Sequence, residues 1–289
     1  MPMALSRRIL LALPALAFIP RLAGAQEGGY AAIEARTGGR LGVAVLDASG
    51  VPRGLYRAEE RFALCSTFKA LLAGAVLVRV DEGREQLDRR LYYGKADLVA
   101  YSPVTEKQVD AGMTVADLCA AAVTLSDNTA ANLLLGTLGG PEGLTAILRA
   151  TGDPVTRLDR WETALNSAIP GDPRDTTTPL AMARDIRALV AGDVLSPASR
   201  AVLADWLLGC KTGDARLRAG LPGWQVGDKT GTGDTGTFND VGFATPPGAA
   251  PNAAPVVLAV YLTQSRLDLA GSNAAIAAVA AQAARELAR

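Results

Sequence analysis

The sequence predicts an α/β protein of the α+β type. An antiparallel sheet of about five strands is built from both ends of the chain and covered by helices, and an all-helical lobe is inserted between them. Three observations predict this. A strand–turn–strand pattern at 41–56 opens the folded part, and three more strand patterns close it between 225 and 263. Between them, 113–208 is mostly helical in period. With 289 residues, 49% of them hydrophobic, the chain can bury a large core in two lobes.

Residues 1–25 read as an export signal. Arg7-Arg8 precede an apolar run from Ile9 to Ile19, and Ala23-Gly24-Ala25 supplies small residues for cleavage. The run is too short, and too broken by Pro14 and Pro20, to span a membrane. Ser6 to Leu11 also resembles a twin-arginine signal, which leaves the export route open. The 22–25 segment lacks the cysteine of a lipoprotein signal. A soluble, monomeric mature chain starting near Gln26, periplasmic or secreted and free of membrane, is the expectation.

Strands follow at 41–46 and 51–56, joined by an Asp-Ala-Ser-Gly turn. The segment 68–80 is apolar on every side, which marks a buried helix. Further helical patterns lie at 115–122, 129–135, 143–149, 180–190 and 199–208. The stretch 157–179 is different: long, rich in Pro, Asp and Thr, and without period. Loops of that length in a compact domain are usually functional or disordered. Strands return at 225–232, 237–244 and 256–263, and an alanine-rich helix covers about 272–288. The implied division is a sheet domain of 26–60 with 213–289, and a mostly helical domain of 61–212.

Composition narrows the chemistry. Lys+Arg and Asp+Glu number 29 each, and removing the arginine-bearing leader makes the chain mildly acidic. Neither nucleic acid nor an anionic membrane surface is indicated as a partner. Three separated cysteines, Cys65, Cys119 and Cys210, allow at most one disulfide and leave any pairing open. With no histidine and no close cysteine pair, a zinc site is not expected, and no motif calls for another metal or a cofactor. Cys65 as a thiol nucleophile would lack its usual histidine activator.

Ser66-Thr67-Phe68-Lys69 stands at the head of the buried helix. A serine hydroxyl needs a base to become a nucleophile. Without histidine, a lysine at i+3 on the same helix face is a candidate. On its own the tetrapeptide reads better as a serine N-cap beside a first-turn charge than as a catalytic pair. Ser126-Asp127-Asn128, on a loop before a helical run, offers a second hydroxyl and an amide. Lys229-Thr230-Gly231-Thr232-Gly233 ends a strand and offers a cationic edge for a substrate carboxylate. There the Thr232 N–H can complete an oxyanion hole with that of Ser66. A second Lys-Thr-Gly, at 211–213, follows a helix and is read as a loop. Within the long loop, Glu162 and Asn166 are at i and i+4, spaced to share one face and hold a water. Arg160 and Asp175 can close the loop as an ion pair.

Together these segments resemble the S-x-x-K, S-D-N and K-T-G set of the class A serine β-lactamases. The resemblance covers nearly the whole mature chain and implies the β-lactamase/penicillin-recognising fold, with the active site between sheet and helical lobe. It implies β-lactam substrates and inhibitors, Ser66 as nucleophile and Glu162, with Asn166, as holder of the deacylating water. It further implies Ser126 as proton donor to the lactam nitrogen, Lys229 and Thr230 as carboxylate binders and Asn128 as an amide contact. Whether Lys69 or Glu162 activates the serine stays open. Tyr101 matches a residue at the substrate entrance. Phe238 stands where many members carry an arginine, and Arg216 matches the alternative arginine that takes over its role. Thr163 replaces the proline that often follows the loop glutamate, so no cis bond is expected there. Gly233 stands where carbapenem-hydrolysing members often pair a cysteine with the counterpart of Cys65. A penicillin-binding peptidase and a β-lactam sensor domain are the alternatives. The first typically lacks the glutamate and asparagine of the long loop, and the second is normally membrane-tethered.

Overall fold

The computed structural model describes residues 27–250 and 253–288, so the export segment read at 1–25 lies outside the described residues. Helix α1 (Glu27–Thr37) precedes the hairpin of β1 (Arg40–Leu46) and β2 (Pro52–Tyr56). Strand β3 (Phe62–Ala63) leads through a 3-10 turn at Cys65–Thr67 into α2 (Phe68–Asp81). A ribbon of β4 (Arg90–Leu91) and β5 (Met113–Thr114) precedes α3 (Val115–Thr124), α4 (Asn128–Leu138) and α5 (Gly140–Ala150). Strand β6 (Thr176–Thr177) pairs with β3, and α6 (Pro179–Ala191), α7 (Pro197–Leu208) and the single turn α8 (Leu217–Gly220) return the chain to the sheet. There β7 (Gln225–Gly233), β8 (Thr237–Thr245) and β9 (Val256–Thr263) run before α9 (Leu269–Leu287).

The sheet order β2-β1-β9-β8-β7 is antiparallel throughout and joins both ends of the chain, as the strand patterns predict. Period-two alternation explains why both its faces are covered. In β1, Leu41, Val43 and Val45 pack under α1 and α9, whereas Ala44 and Leu46 face the helical side. In β9, Leu258, Val260 and Leu262 take the first side and Val257, Ala259 and Tyr261 the second. Helix α2 runs through the larger core, and its residues 68–77 are all buried. Truncating Leu71 or Leu72 there to alanine should cost about 2–5 kcal/mol.

Two expectations change. Helix α1 was invisible to periodicity, because only Tyr30 and Ile33 carry its apolar face and Gly28-Gly29 weaken its start. Tertiary packing against α9 decides it. Helix α9 begins at Leu269, earlier than 272, because Asp268 caps it by accepting from Gly271 N at 2.7 Å.

Candidate active site

Four elements meet where the helical lobe touches the strand β7. The 3-10 turn before α2 presents Ser66, and α2 presents Lys69. Ser66 caps nothing: no side chain caps either the turn or α2. Its hydroxyl instead accepts from Lys69 Nζ at 3.0 Å and donates to Glu162 Oε1 at 3.4 Å. The N-cap reading of Ser66 is therefore excluded.

Lys69 is wholly buried among apolar helix residues, yet its Nζ meets five acceptors. These are Ser66 Oγ, Ser126 O at 2.9 Å, Ser126 Oγ at 3.3 Å, Asn128 Oδ1 at 2.5 Å and Glu162 Oε1 at 2.9 Å. An ammonium has three protons, so these bonds compete. Burial pushes the Lys69 pKa below its usual range, opposed by the Glu162 carboxylate.

Ser126 Oγ also accepts from Lys229 Nζ at 3.0 Å, so one hydroxyl bridges the two lysines. Lys229 is buried as well, and that burial, with Lys69 nearby, lowers its pKa to about 8. Asp127 anchors this corner. It caps α4 through Ala130 N at 2.8 Å and accepts from Val104 N and Thr105 N at 2.9 Å each. Cys65, Tyr101 and Ser126 all have positive φ (43°, 63° and 59°). Such conformations cost roughly 1–3 kcal/mol each and persist where the surroundings hold them.

The long loop contributes Glu162 and Asn166. Asn166 Nδ2 donates to Glu162 Oε2 at 2.5 Å, across a 3-10 turn at Ala164–Ser167. Arg160 Nε reaches Asp175 Oδ2 at 2.5 Å, the ion pair the sequence predicts. The Glu162–Thr163 peptide bond is cis, which corrects the expectation drawn from Thr163. Asn132 holds Glu162 on both sides, donating to its carbonyl and accepting from its N–H at 3.0 Å each. Residue type at 163 does not report that hold, because it comes from α4.

On β7, Gly231 lets the strand approach the serine turn: a Cβ there would lie 2.9 Å from Leu64 O. This close pass sets Thr230 and Thr232 beside Ser66 in a cleft of about 460 Å3, with Ser126, Asn128 and Asn166 also on its wall. Tyr101, 60% exposed, lines it too. Gly233 abuts Cys65, since its Cβ would stand 2.6 Å from the sulfur, but all three cysteines are free. Burial raises the Cys65 thiol pKa, which works against a nucleophilic role.

Arg216 donates to Thr232 Oγ1 at 2.8 Å, Asn239 O at 2.6 Å and Asn273 Oδ1 at 2.8 Å, and its guanidinium lies 5.7 Å from the Phe238 ring centroid. With Lys229 it makes this end of the cleft cationic. Asn128 is already committed, to Lys69 through Oδ1 and to Ala100 O through Nδ2 at 2.8 Å.

All eleven residues picked from the sequence thus converge. Three others were missed. Asn132 sits four residues after Asn128 on α4, a spacing that could have flagged it. Thr212, from the discounted 211–213 copy, bonds Thr230 Oγ1 at 2.5 Å, while its neighbour Lys211 is exposed. Asn273, on α9, left no local signal.

Comparison with known proteins shows the family and agrees with the fold. The model of the Beta-lactamase enzyme family matches residues 30–287. Beta-lactamase AST-1 of Nocardia asteroides is 52% identical over 249 residues, covering 86% of this chain and 79% of that protein. Beta-lactamase OXY-2 of Klebsiella oxytoca is 50% identical over 249 residues, covering 86% of this chain and 84% of that one. The solved structure of an ancestral (GNCA) class A β-lactamase superposes with a TM-score of 0.87 at 63% identity, over 90% of this chain and 99% of that one. A putative class A β-lactamase, PenP of Rhodopseudomonas palustris, gives 0.87 at 57% identity, over 91% and 99%.

Proposed function

This chain belongs to the class A β-lactamases, a family that hydrolyses β-lactam antibiotics and so confers resistance, and we propose that it does so through an acyl-enzyme on Ser66. The observation that carries this reading is the single Ser66 hydroxyl within reach of both Lys69 and Glu162.

Acylation begins as Ser66 Oγ attacks the lactam carbonyl carbon and loses its proton to Lys69 or, directly or through water, to Glu162. A lowered Lys69 pKa supports the first route, and the 3.4 Å contact supports the second. The backbone N–H groups of Ser66 and Thr232 hold the developing oxyanion, each worth about 3–4 kcal/mol in the transition state. Ser126, bridging Lys69 and Lys229, passes a proton to the lactam nitrogen as the C–N bond breaks. Lys229, Thr230, Thr232 and Arg216 bind the substrate carboxylate at the cationic end of the cleft. Asn128 contacts the substrate amide by exchanging its Ala100 bond, and Tyr101 lines the entrance.

Deacylation uses Glu162 as base for a water that Asn166 helps hold. The Asn166 Oδ1 atom, buried and unpartnered among the described residues, supports that role because it is a free acceptor. The reaction needs no cofactor. The same reading includes export behind a cleaved 1–25 leader, a monomer in the periplasm or medium, and the two-domain division at 60/61 and 212/213. Penicillins and cephalosporins are the substrates the resemblance implies; Gly233 opposite a free Cys65 gives carbapenem hydrolysis no support, while Thr232 and Arg216 leave it open.

Steady-state turnover of a chromogenic cephalosporin by purified protein lacking residues 1–25 tests the proposal. Many turnovers per enzyme are expected. One stoichiometric burst with no further hydrolysis would overturn it in favour of a peptidase or sensor.

A further inference from the structure

A second cavity, of about 360 Å3, lies behind the long loop, away from Ser66. Its walls are loop residues 168–174, the start of β1, strand β3 and the end of β9. Four arginines line it, Arg40, Arg61, Arg160 and Arg174, against two carboxylates, Glu60 and Asp172.

The pairing leaves donors over. Arg40 is matched by Glu60 at 2.8 Å and Arg174 by Asp172 at 2.7 Å. Arg160 gives only its Nε to Asp175, so its two terminal nitrogens carry no protein bond among the described residues. Arg61 meets no carboxylate among the described residues. Its Nη1 donates to Val155 O at 3.1 Å and to Thr176 Oγ1 at 3.0 Å, and its Nη2 and Nε make no hydrogen bond among the described residues. Planar guanidinium forks with spare N–H pairs suit phosphate or carboxylate oxygens, bound two at a time.

We infer that this cavity is a binding site for a small anion bearing at least two phosphate or carboxylate groups, held by Arg61 and Arg160 with Arg174 on the rim. A ligand there bridges the back of the loop to the ends of β1 and β9, and so stabilises the folded chain by mass action. The site is independent of the β-lactam reading, because none of these arginines lines the Ser66 cleft.

The test is calorimetric titration of the full mature chain, in low-salt buffer without phosphate, with pyrophosphate in one arm and citrate in the other. Saturable one-to-one binding is expected for at least one of them, with a rise in Tm beyond that given by sodium chloride of equal ionic strength. The tighter probe identifies the phosphate or the carboxylate source. Arg61→Gln should weaken binding at least tenfold. Asp172→Asn, which removes a competing anion from an exposed pair, should tighten it, so loss of fold cannot imitate both results. No saturable heat with either probe overturns the inference. So does binding that Arg61→Gln leaves unchanged, or binding that a β-lactam acylating Ser66 displaces.

Discussion

The serine–lysine cluster and the long loop meet through Glu162, which bonds both Ser66 and Lys69, yet the two regions are held by different physics. Ser66, Lys69, Ser126 and Lys229 are buried on or beside regular elements, with α2 embedded in the larger core. Glu162 and Asn166 sit on a loop with little regular structure, tied down by polar clips: Arg160 to Asp175, and Asn132 to the Glu162 backbone. On the proposed mechanism, bond making is thus built into the core, whereas release of the acyl group depends on a segment that a few side chains hold. Substitutions in the first region should act on chemistry or abolish folding. Those in the second should tune the lifetime of the acyl-enzyme.

The sharpest break comes from the nucleophile. Ser66→Ala should lower kcat by on the order of 10^5-fold with an unchanged circular dichroism spectrum. Activity within tenfold of wild type would remove Ser66 from the mechanism. Glu162→Gln should lose about 10^3-fold in kcat while still acylating. Intact mass spectrometry should then find a covalent adduct on Ser66, and a variant that turns over without accumulating one would contradict the division of labour.

Releasing the loop without touching either half's chemistry is a gentler probe. Asp175→Asn removes the partner of Arg160 and alters an acceptor of the Asp159 and Arg160 amides. It should cost about 3 kcal/mol of stability and slow deacylation more than acylation, by roughly tenfold, as read by pre-steady-state kinetics. Equal slowing of both steps would mean that the loop also positions the serine.

The pH profile separates binding from bond breaking. Because Lys229 loses its proton near pH 8, its hold on the substrate carboxylate should fade as pH rises through that value. KM should climb severalfold while kcat changes less, and Lys229→Arg, whose charge persists to higher pH, should flatten the climb. A flat KM in the wild type would contradict this.

The smallest effect serves as a control outside both regions. Asp185, half-buried beside Asp153 in the helical lobe with its Oδ2 shielded from solvent, has its pKa raised to about 9, chiefly by desolvation of that carboxyl. Its folded form keeps a proton that the unfolded chain releases from an ordinary value of 3.8. Stability is therefore lost as pH rises between those values. Asp185→Asn should raise Tm by a few degrees at pH 8, with a smaller gain near pH 4, and leave kcat alone. An altered kcat would show that the two halves are not insulated from the lobe behind them.

Much of this was legible in the chain. The strands of the sheet announce themselves by alternation and turn residues, and α2 by its all-round apolarity, because those signals arise within a few residues. Three short motifs and the Glu162–Asn166 spacing identify the chemistry for the same reason: each is a local arrangement on one turn or strand end. Helix α1 and the holds made by Asn132, Thr212 and Asn273 were not legible, since each depends on a partner far away in sequence.

The sequence by itself determined which groups the protein owns: a serine one turn from a lysine, a loop glutamate with an asparagine, no histidine, and a lysine at a strand end. Tertiary structure alone decided what those groups are worth. Ser66 and Glu162 are 96 residues apart, and Ser126 and Lys229 are 103 apart. Only packing brings each pair within hydrogen-bonding reach and excludes the water that would hold Lys69 at its ordinary pKa. Propensity and spacing act over one or two turns, but a shifted pKa and a shared proton depend on which distant charges, and how little water, surround a group.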